Sequence, residues 1–386
     1  MSSICIFSAL YFPSMGGVER FTDSLARELA RQGHKVTIVT NDTHRLGGRE
    51  ALPSGVEVVR LPCNVLLNGR YPVPVKNGEY QRLMSALDAQ LFDGVLINTR
   101  FYLHSLLGAE FAKRHGLRAI VLDHGSAYLT MGNSVLDWFI ARYEDAITAF
   151  LKSRGIDFYG ISQKSVEWLR HFGIKAKGVI SNSIDAESYR AQASNRAFRE
   201  ELGIPADHLM LAFTGRFIPE KGIAVLVEMM RLLKGDPVHL VMAGDGPLRK
   251  DVESAGLNKV HIVGRLDAPD IAALLLESDL FCLPSRSEGF STSLLEAAAC
   301  GTPFLTTDVG GARELSPDST YGVIIPTADA RPFANAIQEM LNDSFRLKAM
   351  GGRIQSRVDE EYSWGSVARS VASIVVCKRR SPQSSR

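Results

Sequence analysis

Residues 280–307 read LFCLPSRSEGFSTSLLEAAACGTPFLTT. An apolar run at 280–284 enters a loop that carries Glu288, Gly289 and Phe290. A helix is expected over 291–300, opening on Ser291, Thr292, Ser293 and Leu294, with Glu296 in its early turns. A second apolar run follows at 303–307. Strand, helix and strand in so short a span form a βαβ unit, which implies parallel pairing. Small residues at the helix start leave backbone N–H groups open to an anion such as phosphate. Glu288 and Glu296 would accept hydrogen bonds from the hydroxyls of a polyol. A glutamate near a helix start can equally well just complement the helix dipole.

The same rhythm extends in both directions. Strands are expected at 209–214, 238–243, 259–263 and 322–325, and helices at 222–234, 247–256, 269–277 and 330–342. Towards the N-terminus, strands are expected at 3–9, 35–40, 56–60, 94–98 and 119–123, with helices at 17–33, 101–115 and 162–172. Phe21, Leu25 and Leu29 recur at helical spacing, and Gly33 closes that helix. Ser162 suits an N-cap, and Gly173 a helix end. Two such series predict two doubly wound domains, 1–187 and 205–360, joined by the polar stretch 186–205. Ligands of such sheets bind beyond the carboxyl ends of the strands, here expected to face a cleft between the domains.

Four further loops follow strands. Residues 214–222, TGRFIPEKG, set Arg216 and Lys221 just ahead of a helix. A guanidinium fork and an ammonium point charge there suit a diphosphate; two solvated surface cations are the plainer alternative. The order of a Walker A loop is absent. In 243–247, AGDGP, Gly244 and Gly246 allow a sharp turn or a close approach to a ligand. Arg249 stands where a dinucleotide fingerprint needs its third glycine. Gly16 and Gly17 precede the first helix, and His124 follows the strand at 119–123 beside Gly125.

Composition narrows the function classes. The chain has 386 residues and a net charge of +2, which disfavours a dedicated nucleic-acid binder. No apolar run is long enough for a membrane span, and the first residues lack the basic region of a signal peptide. Cys5, Cys63, Cys282, Cys300 and Cys377 form no CxxC pair, so neither a disulfide framework nor a zinc site is expected. No Asp-x-Asp or HExxH occurs, so no metal site is expected.

Taken together, these loops resemble the GT-B fold glycosyltransferases, specifically retaining glycosyltransferase family 4, over nearly the whole chain. The resemblance rests on Glu-x7-Glu at 288–296, GRxxxxKG at 215–222, GDGP at 244–247, the Gly16-Gly17 loop and VGGARE at 309–314, all in the family's order. It implies two Rossmann-like domains and hexosyl transfer from a nucleotide sugar without a metal or other cofactor. Arg216 and Lys221 would bind the donor diphosphate. Glu296 would hold the ribose, and Glu288 the donor hexose. Arg265 and Leu266 would lie near the base, and His124 near the transferred sugar and the acceptor. Backbone amides at Gly16, Gly17 and 291–294 would complete the phosphate cradle. Two positions depart from the family pattern. Ser291 replaces a glycine after Glu-Gly-Phe, and Ser183 replaces one in Asn182-Ser-Ile-Asp185.

The resemblance further implies a UDP-sugar donor and a glycan or polyprenyl-linked acceptor in cell-surface polysaccharide or glycolipid synthesis. A nucleotide-sugar 2-epimerase or a non-catalytic nucleotide-sugar binding module are the alternatives. It also implies that the last helix, expected over 361–380, returns to the N-terminal domain, with Trp364, Val367, Val371 and Ile374 as its apolar face. Charge is uneven: residues 1–190 carry +4, 191–360 carry −6 and 361–386 carry +4. The basic stretches 113–118, 175–177 and 378–380 could touch an anionic membrane surface, merely solvated surface charge being the alternative. The location expected is cytoplasmic, peripheral on the inner face of the membrane.

Overall fold

A computed structural model describes residues 1–376 except Asn68, Arg70, Met131, Gly132 and Asn342. Cys377 and the basic tail at 378–380 lie outside the described residues. The chain divides into two compact units. One comprises residues 1–182 with the chain from Trp364 onward, and the other residues 183–363.

The first unit is built on a sheet of β1 (Ser3–Ser8), β2 (Lys35–Asn41), β3 (Arg49–Ala51), β4 (Glu57–Leu61), β7 (Gly94–Asn98), β8 (Ala119–Asp123) and β9 (Asp157–Gly160). Its order is β3-β4-β2-β1-β7-β8-β9, and only β3 runs antiparallel to its neighbour. A hairpin of β5 (Cys63–Leu66) and β6 (Tyr71–Pro74) stands apart from it. Helices α1 (Gly17–Arg31), α2 (Gly78–Asp88), α3 (Leu103–Arg114), α4 (Ser134–Ser153) and α5 (Gln163–His171) connect the strands. The central strands are buried along almost their whole length, as parallel strands covered on both faces must be. Periodicity alone assigns no element to 125–161, and that span holds the 20-residue α4 and β9.

The second unit opens with α6 (Ala186–Ala191) and α7 (Phe198–Glu201). Its sheet has the order β12-β11-β10-β13-β14-β15, parallel throughout. The strands are β10 (Leu209–Thr214), β11 (Val238–Ala243), β12 (Val260–Gly264), β13 (Leu280–Leu283), β14 (Phe304–Thr307) and β15 (Val323–Ile325). Helices α8 (Ile223–Leu232), α9 (Arg249–Ser254), α10 (Ala268–Glu277), α11 (Thr292–Ala299), α12 (Ala312–Leu315), α13 (Ala330–Met340) and α14 (Ser344–Glu361) complete it. Both sheets reverse strand order once, between β1 and β7 and between β10 and β13. These are the switch points at which α/β sheets bind ligands.

Two boundaries differ from expectation. The units divide at Asn182 and Ser183, and the polar stretch 186–205 is part of the second unit rather than a free connector. Phe198 is fully buried there, and Arg190 donates to the Ala299 carbonyl at 2.7 Å and pairs with Asp359. Ser183 avoids the left-handed backbone region, so the turn there does not need a glycine. The last helix, α15 (Trp364–Val375), belongs to the first unit, where Trp364 meets Phe21 edge-on at 5.4 Å. Its buried face is Val367, Ala368, Val371 and Val375; Ile374 is only half-buried. Gly94 makes room for this end, since a Cβ there would lie 2.3 Å from the Val375 carbonyl oxygen.

Candidate functional site

In the second unit, the loops after β10 and β13 flank the switch point and are joined to each other. The Arg286 N–H donates to the Glu220 carbonyl at 2.8 Å. Lys221 Nζ donates to Glu288 Oε1 at 2.5 Å, and Ser285 Oγ donates to the same oxygen at 2.7 Å. Ser285 is fully buried, and Thr307 donates to its carbonyl, which fixes the hydroxyl's base. Sequence reasoning missed Ser285, because a serine inside a polar loop carries no signal of its own. Arg216 lies on the same loop as Lys221 but is exposed and makes no ion pair among the described residues. One cation is thus held in place and the other is open to an incoming anion.

The glycines around this pair explain how the loops approach so closely. Gly222 has φ 70°, and a Cβ on it would lie 2.1 Å from the Pro284 carbonyl oxygen. At Gly311 a Cβ would lie 2.2 Å from the Phe290 ring. A Cβ on Gly244 would lie 1.8 Å from the Gly215 carbonyl oxygen, and one on Gly246 2.6 Å from that of Phe217. Gly244 and Gly246 therefore admit the neighbouring backbone. The sequence alone allows either a turn or the approach of a ligand. The Gly244 N–H donates to the Gly264 carbonyl, and the Phe217 N–H to that of Asp245. Arg265, mostly exposed, lies 3.6 Å from Asp245, and Leu266 next to it is half-buried.

Ser291 is the N-cap of α11 with φ −71°, a conformation open to any residue, so replacing glycine costs nothing there. Its hydroxyl accepts from the Leu294 N–H and contacts Ser293 Oγ at 3.0 Å. The Thr292 and Ser293 amides, in the first turn, have no acceptor within the helix. Gly289 and Glu296 are half-buried, and the Phe290 ring is buried 5.9 Å from that of Tyr362.

In the first unit, Gly16 caps α1 in extended backbone and Gly17 has open space beside it. The carboxylate of Glu19 folds back so far that a Cβ on Gly16 would lie 2.3 Å from Oε2. Glu19 is buried, and burial raises its pKa. An acid at the helix start competes with any other anion there, a feature sequence reasoning passed over.

His124 follows β8. Asn98 Nδ2 donates to Thr22 Oγ1 at 2.8 Å, and Thr22 donates its own proton to the Val18 carbonyl. Asn98 Oδ1 is then left to accept from His124 Nε2 at 3.2 Å. This order of donors assigns the proton to Nε2 and leaves Nδ1 as an acceptor. Burial pulls the His124 pKa down to about 3, so the ring is neutral at physiological pH. Behind it, Arg100 pairs with Asp123 at 3.2 Å and with Glu144 at 3.0 Å, all three buried. Burial raises both acids, Asp123 to about 6.

Among the described residues, no three His, Cys, Asp or Glu side chains gather so as to hold a metal ion, and no helix is long and apolar enough to cross a membrane. Arg114 pairs with Asp88, and Arg118 and Lys177 share Asp157, so two carboxylates offset part of the basic surface expected at a membrane, while Lys113 and Lys175 are exposed.

Two family models match the chain. The model described as Glycosyltransferase Family 4 covers residues 15–188, and that described as Glycosyl transferases group 1 covers 194–357. The chain is 28% identical over 273 residues to the putative teichuronic acid biosynthesis glycosyltransferase TuaC of Bacillus subtilis, covering 69% of each chain. It is 23% identical over 380 residues to the phosphatidylinositol N-acetylglucosaminyltransferase GPI3 subunit of Saccharomyces cerevisiae, covering 96% of this chain and 82% of that one. Among solved structures, sucrose-phosphate synthase from Thermosynechococcus elongatus superposes with a TM-score of 0.77 at 21% identity, covering 97% of this chain and 98% of that one. Anabaena HepE, solved with UDP-glucose, superposes with a TM-score of 0.73 at 17% identity, covering 97% and 99%.

Proposed function

Because the chain belongs to the family 4-like glycosyltransferases of the GT-B fold, we propose that it transfers a hexosyl group, with retention of configuration, from a UDP-sugar to a glycan or polyprenyl-linked acceptor. The observation that carries this reading is the Lys221–Glu288 pair beside the open Arg216 at the β10/β13 switch point. Arg216 and Lys221 hold the donor diphosphate and stabilise the charge that grows on it as the bond to the sugar breaks. Glu288 is oriented by Lys221 and Ser285, and it accepts hydrogen bonds from the donor hexose. Glu296 takes the ribose hydroxyls, and the stretch at Arg265 and Leu266 meets the base. The two cations supply the positive charge that a metal would otherwise bring, so the transfer runs without one.

In the step proposed, the bond from the anomeric carbon to the diphosphate oxygen breaks. The acceptor hydroxyl bonds to that carbon from the same face, and its proton passes to the departing phosphate. His124, neutral and with Nδ1 free, accepts from a hydroxyl of the transferred sugar or of the acceptor.

A panel of UDP-, GDP- and ADP-sugars, scored by nucleotide release with and without lipid-linked acceptors, tests the reading. Release should be greatest with a UDP-sugar and should rise when acceptor is added. Release from no donor would overturn it, and turnover to an isomeric sugar without acceptor would favour an epimerase instead.

A further inference from the structure

Helix α4 has two apolar sides. One, with Ile147 and Leu151, is buried in the first unit together with Glu144 and Thr148. The other faces outward. Val135, Trp138, Phe139, Ala146, Ala149 and Phe150 follow one another along the helix, and all are exposed. Trp138 is 58% and Phe139 60% exposed, and the two rings meet edge-on at 4.9 Å. A helix of 20 residues is about 30 Å long, so this is a ridge rather than a scattered set of apolar side chains.

The charges around the ridge indicate what covers it. Arg142 is the charged residue on the outward side, 58% exposed, with one edge held by Asp145 at 3.0 Å. At the C-terminal end, Arg154 stacks over Phe150 at 4.3 Å. The flanking acids are engaged locally, Asp137 by Thr130 and Asp145 by Tyr128 and Arg142. Two copies pairing along α4 about a twofold axis would set the mid-helix Arg142 against its own counterpart, an unfavourable like-charge contact. At a bilayer surface the same arginine reaches the lipid phosphates while the aromatic rings sit at the headgroup level. We propose that the outward face of α4 docks the first unit onto a phospholipid surface, with Trp138 and Phe139 entering the interface. The attachment is chiefly apolar, unlike the electrostatic one expected from the basic stretches, of which Arg114, Arg118 and Lys177 already face carboxylates.

The test is co-sedimentation of the full chain with vesicles of phosphatidylcholine alone and of phosphatidylcholine with phosphatidylglycerol, at low and high salt. Binding to both, with only modest weakening by salt, is expected. The double variant Trp138→Ala, Phe139→Ala should lose at least about tenfold in partitioning, since interfacial binding scales with buried apolar area. Its thermal midpoint and its donor-dependent nucleotide release should stay unchanged, which keeps this test separate from that of the transfer reaction. Phe345→Ala, at an exposed phenylalanine in the second unit, should bind like the parent chain. Absence of sedimentation, or equal binding by the double variant, would overturn the proposal. So would a dimer that this variant abolishes, because the ridge would then be an interface between copies.

Discussion

Lys221 and Glu288 sit on different loops, after β10 and after β13, and meet through a 2.5 Å contact between Nζ and Oε1. In the proposed reaction an arriving diphosphate would compete with Glu288 for this ammonium. Lys221→Ala should therefore lower kcat/KM by about 10²–10³, the range for removing one donor to a developing anion. Steady-state kinetics with the best donor checks this, and full activity would remove Lys221 from the diphosphate site.

Glu288→Ala frees the ammonium for phosphate but would remove the oxygen proposed to accept from the donor hexose. Affinity for the nucleoside diphosphate should hold or tighten, while kcat for transfer falls by about 10² or more. Calorimetric titration with UDP alongside transfer kinetics separates the two effects. Weakened UDP binding with normal kcat would place Glu288 on the nucleotide instead.

Both of these residues stand out in the sequence as charged groups in loops at strand ends, each with a plain alternative when read alone, and it is the joint order of the loops that singles them out. What the glycines themselves do is not legible there. Gly244 and Gly246 read as a sharp turn or a close approach to a ligand, and only the fold shows the backbone of 215–217 lying against them. Helix α4 went unread for a related reason. Its apolar residues lie on two opposite sides, which blurs the single-stripe periodicity that identifies most helices. On α15, Ile374 and Val375 are adjacent apolar residues, and only packing against Gly94 selects Val375.

Gly222→Ala should destabilise without touching any ligand. Its φ of 70° already disfavours alanine, and the added Cβ would meet the Pro284 carbonyl oxygen at 2.1 Å. A loss of at least about 1–3 kcal/mol is expected for forcing strain at such a position. Urea unfolding measures it, and an unchanged midpoint would mean the two loops separate easily.

Burial lowers four histidines, His104 and His239 to about 4, His124 to about 3, and His261 as well. Their unfolded pKa is about 6.5. The stability that comes from keeping them neutral is present above about pH 6.5 and is lost as pH falls through the folded values. Three buried acids work in the opposite direction, Asp123 raised to about 6 and Glu19 and Glu144 raised as well, their share being lost as pH rises through the folded values. The histidines, whose unfolded forms titrate inside this window, outweigh the acids, so the thermal midpoint should fall between about pH 7 and pH 5. A flat profile would show that these rings are not shielded.

Arg100 lies between Asp123 and Glu144, and all three are buried. Removing the guanidinium leaves two carboxylates facing each other without a cation. Arg100→Met keeps much of the side-chain volume, so the loss it measures is mainly electrostatic, and breaking such a buried pair costs about 3–5 kcal/mol. The size of the loss should itself depend on pH. Acidification protonates the stranded carboxylates and relieves them, so the gap between variant and parent should narrow from about pH 7 to pH 5, even as the parent weakens from its histidines. Paired denaturation curves at each pH test this, and a gap that stays constant would mean the arginine contributes packing against Phe172, 4.1 Å from its guanidinium carbon, rather than charge.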